Sequence, residues 1–329
     1  MEQVIESEPA VPVVLHVSPG PHVHSRSLST RRMMLDVLIA LTPVMVAAVA
    51  VFRLHALMQV GICVASCLIF EWLFAAMRSR RASLGDGSAA VTGVILGLSL
   101  PWSAPWYVAV IAGMTAVGLG KAVFGGLGQN IFNPAMVGRA FVMMSFPAMG
   151  AKAYIGSAFD VVSQATPLSA AKTNTAFADL WVLFVGNHNG SLGEVSAVAC
   201  LLGGIYLCVR RTASWEIPVS AILSVALFAG IGNLMYPSSP WTVAHHLLSG
   251  ALLFGAFYIA TDPVSSPLTP VGKWIFGAGL GGLVVLIRVF TNYPEGVMFA
   301  VLIMNSVVPL INRWTIPTPV GGPWKPVKK

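Results

Sequence analysis

The sequence predicts an all-α integral membrane protein with about ten transmembrane segments, arranged as two inverted five-helix repeats with broken helices. Three observations carry the prediction. Only 9% of the 329 residues are charged, 56% are hydrophobic and the mean hydropathy is +0.78, too few charges to cover a soluble surface. Apolar runs near membrane-spanning length recur along the chain, and the order of segments in the first half returns in the second. Composition excludes a soluble enzyme, a disordered chain and a coiled coil.

A spanning helix needs roughly 20 apolar residues. Residues 1–35 are mostly polar, contain Glu2, Glu6 and Glu8, and lack the pattern of a cleavable signal peptide, so they read as a cytoplasmic segment. The first repeat, 36–149, holds apolar runs at 36–53, 56–77 and 106–123 and short segments at 88–101 and 134–149 that are Gly-rich or bounded by Pro. A polar loop follows at 150–190; loops of this length without an element of their own are usually functional. The second repeat, 191–312, holds runs at 192–209, 216–235, 274–291 and 296–312 and a short segment at 243–260, before a tail at 313–329. Short segments persist at membrane depth only when packed in protein or lining a cavity.

The repeat is visible in the residues. Val91–Leu100, a Pro101–Pro105 break and a long helix lead to Asn130–Pro134. Later, Leu248–Ala260, a Thr261–Pro263 break and a long helix lead to Asn292–Gly296. The halves finish at Phe146-Pro147 and Val308-Pro309. An odd number of helices per half inverts the second copy, and inverted repeats put a binding site at their interface, near broken helices.

The formal charge of +7 is distributed as an orientation signal rather than a nucleic-acid patch. With the N-terminus inside, Arg26, Arg31, Arg32, Arg78, Arg80, Arg81, Lys121, Arg210, Arg211 and Lys273 fall on the cytoplasmic side. Arg313, Lys325, Lys328 and Lys329 of the tail join them. Only Arg53, Lys152, Lys172 and Arg288 face out, and Arg139 lies within a helix. Both termini are therefore expected in the cytoplasm and the 150–190 loop outside. Cys63, Cys67, Cys200 and Cys208 lie in apolar stretches and read as buried small hydrophobes, with no metal site expected.

Within the outward loop, Asp160–Ser169 reads by itself as a Ser/Thr turn before a proline, or a helix cap. A threonine hydroxyl there can also be esterified by a phosphate. Ser163-Gln164-Ala165-Thr166-Pro167-Leu168 resembles the Ser-Gly-Ala-Thr flavinylation motif of the RnfD/NqrB family, membrane subunits of ion-translocating electron-transport complexes. Gln164 stands where the family most often has Gly. Further blocks are similar to the family at Ser18–His24, Ser29–Asp36, Phe124–Met136, Gly190–Glu194, Ala260–Ser265 and Tyr293–Gly296, so the resemblance covers nearly the whole chain. The modest length and short N-terminal region favour the RnfD branch; Gly138–Phe141 leans toward NqrB.

The resemblance implies FMN esterified to Thr166, with Ser163, Ala165, Pro167 and Leu168 around it, and a non-covalent riboflavin toward the cytoplasmic side. It implies a fold like that of urea transporters and electrons relayed across the membrane through the two flavins, coupled to Na⁺ or H⁺ transport. It assigns this chain no catalytic side chain and no activity alone. The implied partners are the other membrane subunits, a second covalent-FMN subunit, iron–sulfur subunits, a flavin transferase and the lipid of a bacterial inner membrane, with no nucleic acid. On that reading the 150–190 loop is periplasmic.

Asn130 and Asn133 could match the donors and acceptors of an isoalloxazine edge, and an i, i+3 spacing would align them on one helical face. The residues alone favour satisfaction of backbone groups at a helix break, with Asn133 as an N-cap before Pro134; the resemblance turns the pair toward riboflavin. Glu71, Asp262 and Glu295 are intramembrane or membrane-edge acids and candidates for an ion path. Glu71 could equally snorkel or cap near Arg78, and the other two could stabilise their turns. Asn312 replaces an Asp common in the family. His245-His246 reads as a helix-start pair. The rival from another class is a solute channel or transporter without redox chemistry.

Overall fold

The computed structural model describes residues 29–78, 84–146, 179–186, 190–235, 241–291 and 296–317, and among these every element of regular secondary structure is a helix, joined by turns and one isolated bridge between Pro101 and Ser191. Ser29 caps α1 (Thr30–Phe52), its hydroxyl accepting from Arg32 N at 3.3 Å. Arg53, at φ 54°, breaks the chain in a single residue before α2 (Leu54–Met77). Left-handed Gly87 (φ 78°) starts α3 (Ser88–Ser99). Next comes α4 (Trp106–Val117), which widens into a π-turn over Gly118–Ala122. Asn133 caps α5 (Pro134–Ser145), and Pro134 takes the first helical position.

The second part contains α6 (Leu180–Val185), α7 (Ala197–Val209) and α8 (Glu216–Met235). Then come α9 (Val243–Leu248) and α10 (Leu252–Phe254), the latter running into a π-turn over Gly255–Ile259. Two long helices, α11 (Pro270–Phe290) and α12 (Val297–Thr315), complete it. Among the described residues, α1, α2, α8, α11 and α12 are the five helices long and apolar enough to cross a membrane. Shorter apolar helices lie at Ser88–Ser99, Trp106–Ala122 and Ala197–Val209. At 12 residues each, α3 and α5 extend only about 18 Å, short of the roughly 30 Å hydrocarbon core.

Helices pack through small residues, as expected where lipid removes the hydrophobic drive between them. In α3, a Cβ on Gly93 would lie 2.5 Å from Val64 Cα and one on Gly97 would lie 2.8 Å from Val60 Cα, so α3 rests directly on the α2 backbone. In α11, Gly277 and Gly281 give the same close approach to α8 at Ile217 and Ala221. In this way α2 packs on α3 and α4, α4 on α5, α8 on α11, α11 on α12, and α1 on α7.

Three boundaries differ from the sequence expectation. The run 192–209 is helical only from Ala197, because Leu192 N and Gly193 N instead donate to Leu100 O (3.3 Å) and Leu98 O (2.7 Å) at the end of α3. The run 243–260 is not one helix but breaks at Ser249–Ala251, with left-handed Gly250 (φ 70°) between α9 and α10. A short helix, α6, lies in the stretch expected to be loop, with Asp179 as its N-cap.

Candidate functional site

One cavity, about 790 Å³ with its mouth included, lies where α1 and α3 begin and α4 and α7 end. Met33, Met34, Val91, Ile95 and Leu207 give it apolar walls, and Ser88, Lys121, Asn130, Asn133, Tyr258 and Asp262 place polar groups among them. Broken or widened backbone surrounds it: the π-turn of α4, the approach to α5, and the Thr261–Val264 segment after α10.

Asn130 and Asn133 both line this cavity, but not from one helical face: Asn130 lies in non-helical chain and Asn133 is the cap of α5. The helix starts only at Pro134, so the i, i+3 spacing acts through a loop. The two amides are used differently. Asn133 Oδ1 accepts from Met136 N (3.3 Å), its Nδ2 donates to Ile259 O (3.4 Å), and its backbone N–H donates to Asn305 Oδ1 (3.1 Å). Asn130 Nδ2 donates to Phe132 O (3.1 Å), whereas its Oδ1 is buried without a partner. A buried orphaned acceptor in a cavity wall is costly unless a ligand donates to it.

Glu71 is buried, and its Oε1 accepts from Lys121 Nζ at 2.6 Å. Arg78, at the end of α2, donates to the carbonyl of Ala122. Lys121, read from sequence as an orientation charge on the cytoplasmic side, is only 4% exposed. The π-turn directs it inward, where Glu71 compensates its charge and Ser88 Oγ accepts a second bond at 2.7 Å. Asp262 fastens the turn after α10, accepting from Val264 N (3.2 Å) and Ser265 Oγ (2.9 Å), and also lines the cavity.

At the opposite end, Arg288 is buried, donating to His246 O (2.5 Å) and Ser249 O (2.9 Å) at the α9 break. Carbonyls freed by the break draw it in. His245 and His246 lie in the first turns of α9, with Thr242 Oγ1 and His245 Nδ1 2.7 Å apart. Cys63, Cys67 and Cys200 are buried thiols, and among the described residues no three His, Cys, Asp or Glu side chains gather as a metal site. Thr166, Ser163, Ala165, Pro167, Leu168 and Glu295 lie outside the described residues.

Sequence reading missed Asn305, which sits fully buried in α12 and connects Asn133 N to Ser265 O (2.9 Å). An amide midway along an apolar helix was the available signal.

A multi-pass helical protein with a cavity among helix breaks, lined by an orphaned amide and by the lysine of a buried ion pair, has the architecture of the class that handles small ligands or ions within a bilayer. The chain matches the model of the NQR2, RnfD, RnfE family over residues 16–321, and it belongs to that family. It is 40% identical over 306 residues to the D component of the Na(+)-translocating ferredoxin:NAD(+) oxidoreductase complex of Acetobacterium woodii, covering 92% of this chain and 93% of that one. It is 39% identical over 337 residues to the D component of the ion-translocating oxidoreductase complex of Halorhodospira halophila, covering 92% and 94%. The D component of the proton-translocating ferredoxin:NAD(+) oxidoreductase complex of Clostridium ljungdahlii is 37% identical over 325 residues, covering 94% and 96%.

Proposed function

We propose that the chain is the RnfD-type membrane subunit of an Rnf-type ion-translocating oxidoreductase complex, inactive without its partner subunits. The family includes both branches, and the three D components of such complexes support this one over an NqrB-like one. Bound flavins supply one- and two-electron transfer. Thr166 carries FMN as a phosphoester on its hydroxyl, in the setting of Ser163, Ala165, Pro167 and Leu168, by action of a flavin transferase. Asn130 and Asn133 hold riboflavin in the cavity. Charge separated across the low-dielectric interior is offset by a cation moving past Glu71, Asp262 and Glu295. The partners are the other membrane subunits, a second covalent-FMN subunit and iron–sulfur subunits.

The architecture in this reading is two inverted repeats, 36–149 and 191–312, flanking the outward 150–190 loop, in the urea-transporter-like manner, with the 1–35 segment and the 313–329 tail on the cytoplasmic side of a bacterial inner membrane. What supports it is the matching order of packing, α2 with α4 and α4 with α5, then α8 with α11 and α11 with α12. Among the described residues, a π-turn from each half also borders the cavity.

The observation that carries the riboflavin assignment is Asn130 Oδ1, buried, unpartnered and in the cavity wall. Asn130→Leu in the assembled complex should weaken retention of non-covalent flavin about tenfold, the effect of a lost hydrogen bond of about 1.5 kcal/mol. Unchanged flavin content after gel filtration would remove the cavity from the account.

A further inference from the structure

Lys121 borders an acid and the cavity together. Its Nζ lies 2.6 Å from Glu71 Oε1 and 2.7 Å from Ser88 Oγ, and the same residue lines the cavity with Asn130 and Asn133. Ser88 Oγ in turn donates to Asp86 Oδ1 at 2.7 Å. The ammonium thus sits between the Glu71 carboxylate and a hydroxyl that is itself bonded to Asp86. A buried carboxylate in such a place is held by a cation or a proton.

The backbone under Lys121 is a separate observation. Gly118–Ala122 forms a π-turn, closed by Val123 N donating to Gly118 O at 3.0 Å. Single π-turns carry one extra residue and are frequent at functional sites. Rewinding to α geometry sheds that residue and turns Lys121 by about 100° around the helix axis. The flexible four-carbon stem lets the ammonium reach the acid or the cavity.

We propose that Lys121 is a tethered counter-cation: its ammonium occupies the oxygen site of Glu71 and Ser88, and its withdrawal into the cavity opens that site to Na⁺. The inference rests on the ion-path role proposed for Glu71 and adds what holds that path closed. Carboxylate and hydroxyl oxygens are hard donors and suit a hard metal cation. Withdrawal is favourable when a cavity ligand supplies the negative charge that Glu71 gives up. Ligand charge in the cavity and cation occupancy at Glu71 are then coupled, each changing the other's affinity by the same factor.

The test uses the assembled complex, with thermal stability followed while NaCl replaces choline chloride at constant ionic strength. Lys121→Met should gain a saturable Na⁺-dependent rise in Tm, with apparent Na⁺ affinity at least about tenfold above wild type. The gain should vanish in Lys121→Met/Glu71→Gln. Assembly of Lys121→Met only when Na⁺ is present supports the proposal equally. Equal Na⁺ responses in wild type and Lys121→Met, a response surviving in the double variant, or failure of Lys121→Met to assemble in either salt would overturn it. Flavin content of the same samples reports the proposed function independently, so the two can fail separately.

Discussion

Asn305 Oδ1, midway along α12, accepts the backbone N–H of Asn133 at 3.1 Å, while Asn305 Nδ2 donates to Ser265 O at 2.9 Å. One amide thereby joins the start of α5 to the segment after α10, two walls of the cavity that are distant in sequence. Asn305→Leu would leave both partners buried without a bond. Each orphaned group costs about 1–3 kcal/mol, so the variant should lower the Tm of the purified complex and weaken cavity ligand retention. A variant with unchanged Tm would show that the cavity walls are held elsewhere.

Asp36 ties α1 to the end of α7, accepting from Arg210 Nη2 (3.3 Å), Tyr206 Oη (3.3 Å) and Thr212 Oγ1 (3.2 Å). Arg210 is partly exposed, so the ion pair itself contributes little; the buried acceptor matters more. Asp36→Leu should destabilise by about 1–3 kcal/mol, and Asp36→Asn, which keeps an acceptor, by less. Denaturation of the two variants in detergent checks the order. Equal losses would assign the effect to charge.

Close packing makes glycine substitutions diverge. Gly93→Val puts a side chain against the Val64 backbone and should cost about 1–3 kcal/mol or abolish assembly. Gly61 in α2 has open space around its Cβ position, so Gly61→Ala should be neutral or stabilise by up to about 1 kcal/mol through helix propensity. Tm measurements on both variants test whether α3 rests on α2 as described.

Arg288 is the polar stitch at the α9 break. Arg288→Met leaves the carbonyls of His246 and Ser249 without their shared donor and should lower Tm, with Arg288→Lys recovering only part because an ammonium lacks the guanidinium fork. Full recovery by lysine would reduce the interaction to charge alone.

The long apolar runs were legible because composition and length suffice for a spanning helix; α1, α2, α8, α11 and α12 fall where hydropathy puts them. What stayed hidden depends on partners far along the chain. The apolar run read from residue 192 starts as a helix only at Ala197, because Leu192 and Gly193 pair with the end of α3. Local charge could not reveal that Lys121 and Arg288 are buried, since each is drawn in by acceptors on another element. At the cavity, Asn130, Asn133 and Asp262 could be named from sequence, but the difference between an Asn133 already bonded at both amide atoms and an Asn130 with an orphaned oxygen required the fold.

The central claim, a redox subunit rather than a solute channel, is tested most directly by flavin that survives denaturation. The chain co-expressed with its flavin transferase should fluoresce as a flavoprotein band in a denaturing gel, and Thr166→Val should abolish the band at equal protein. A wild-type band without fluorescence, or fluorescence persisting in Thr166→Val, would contradict the account.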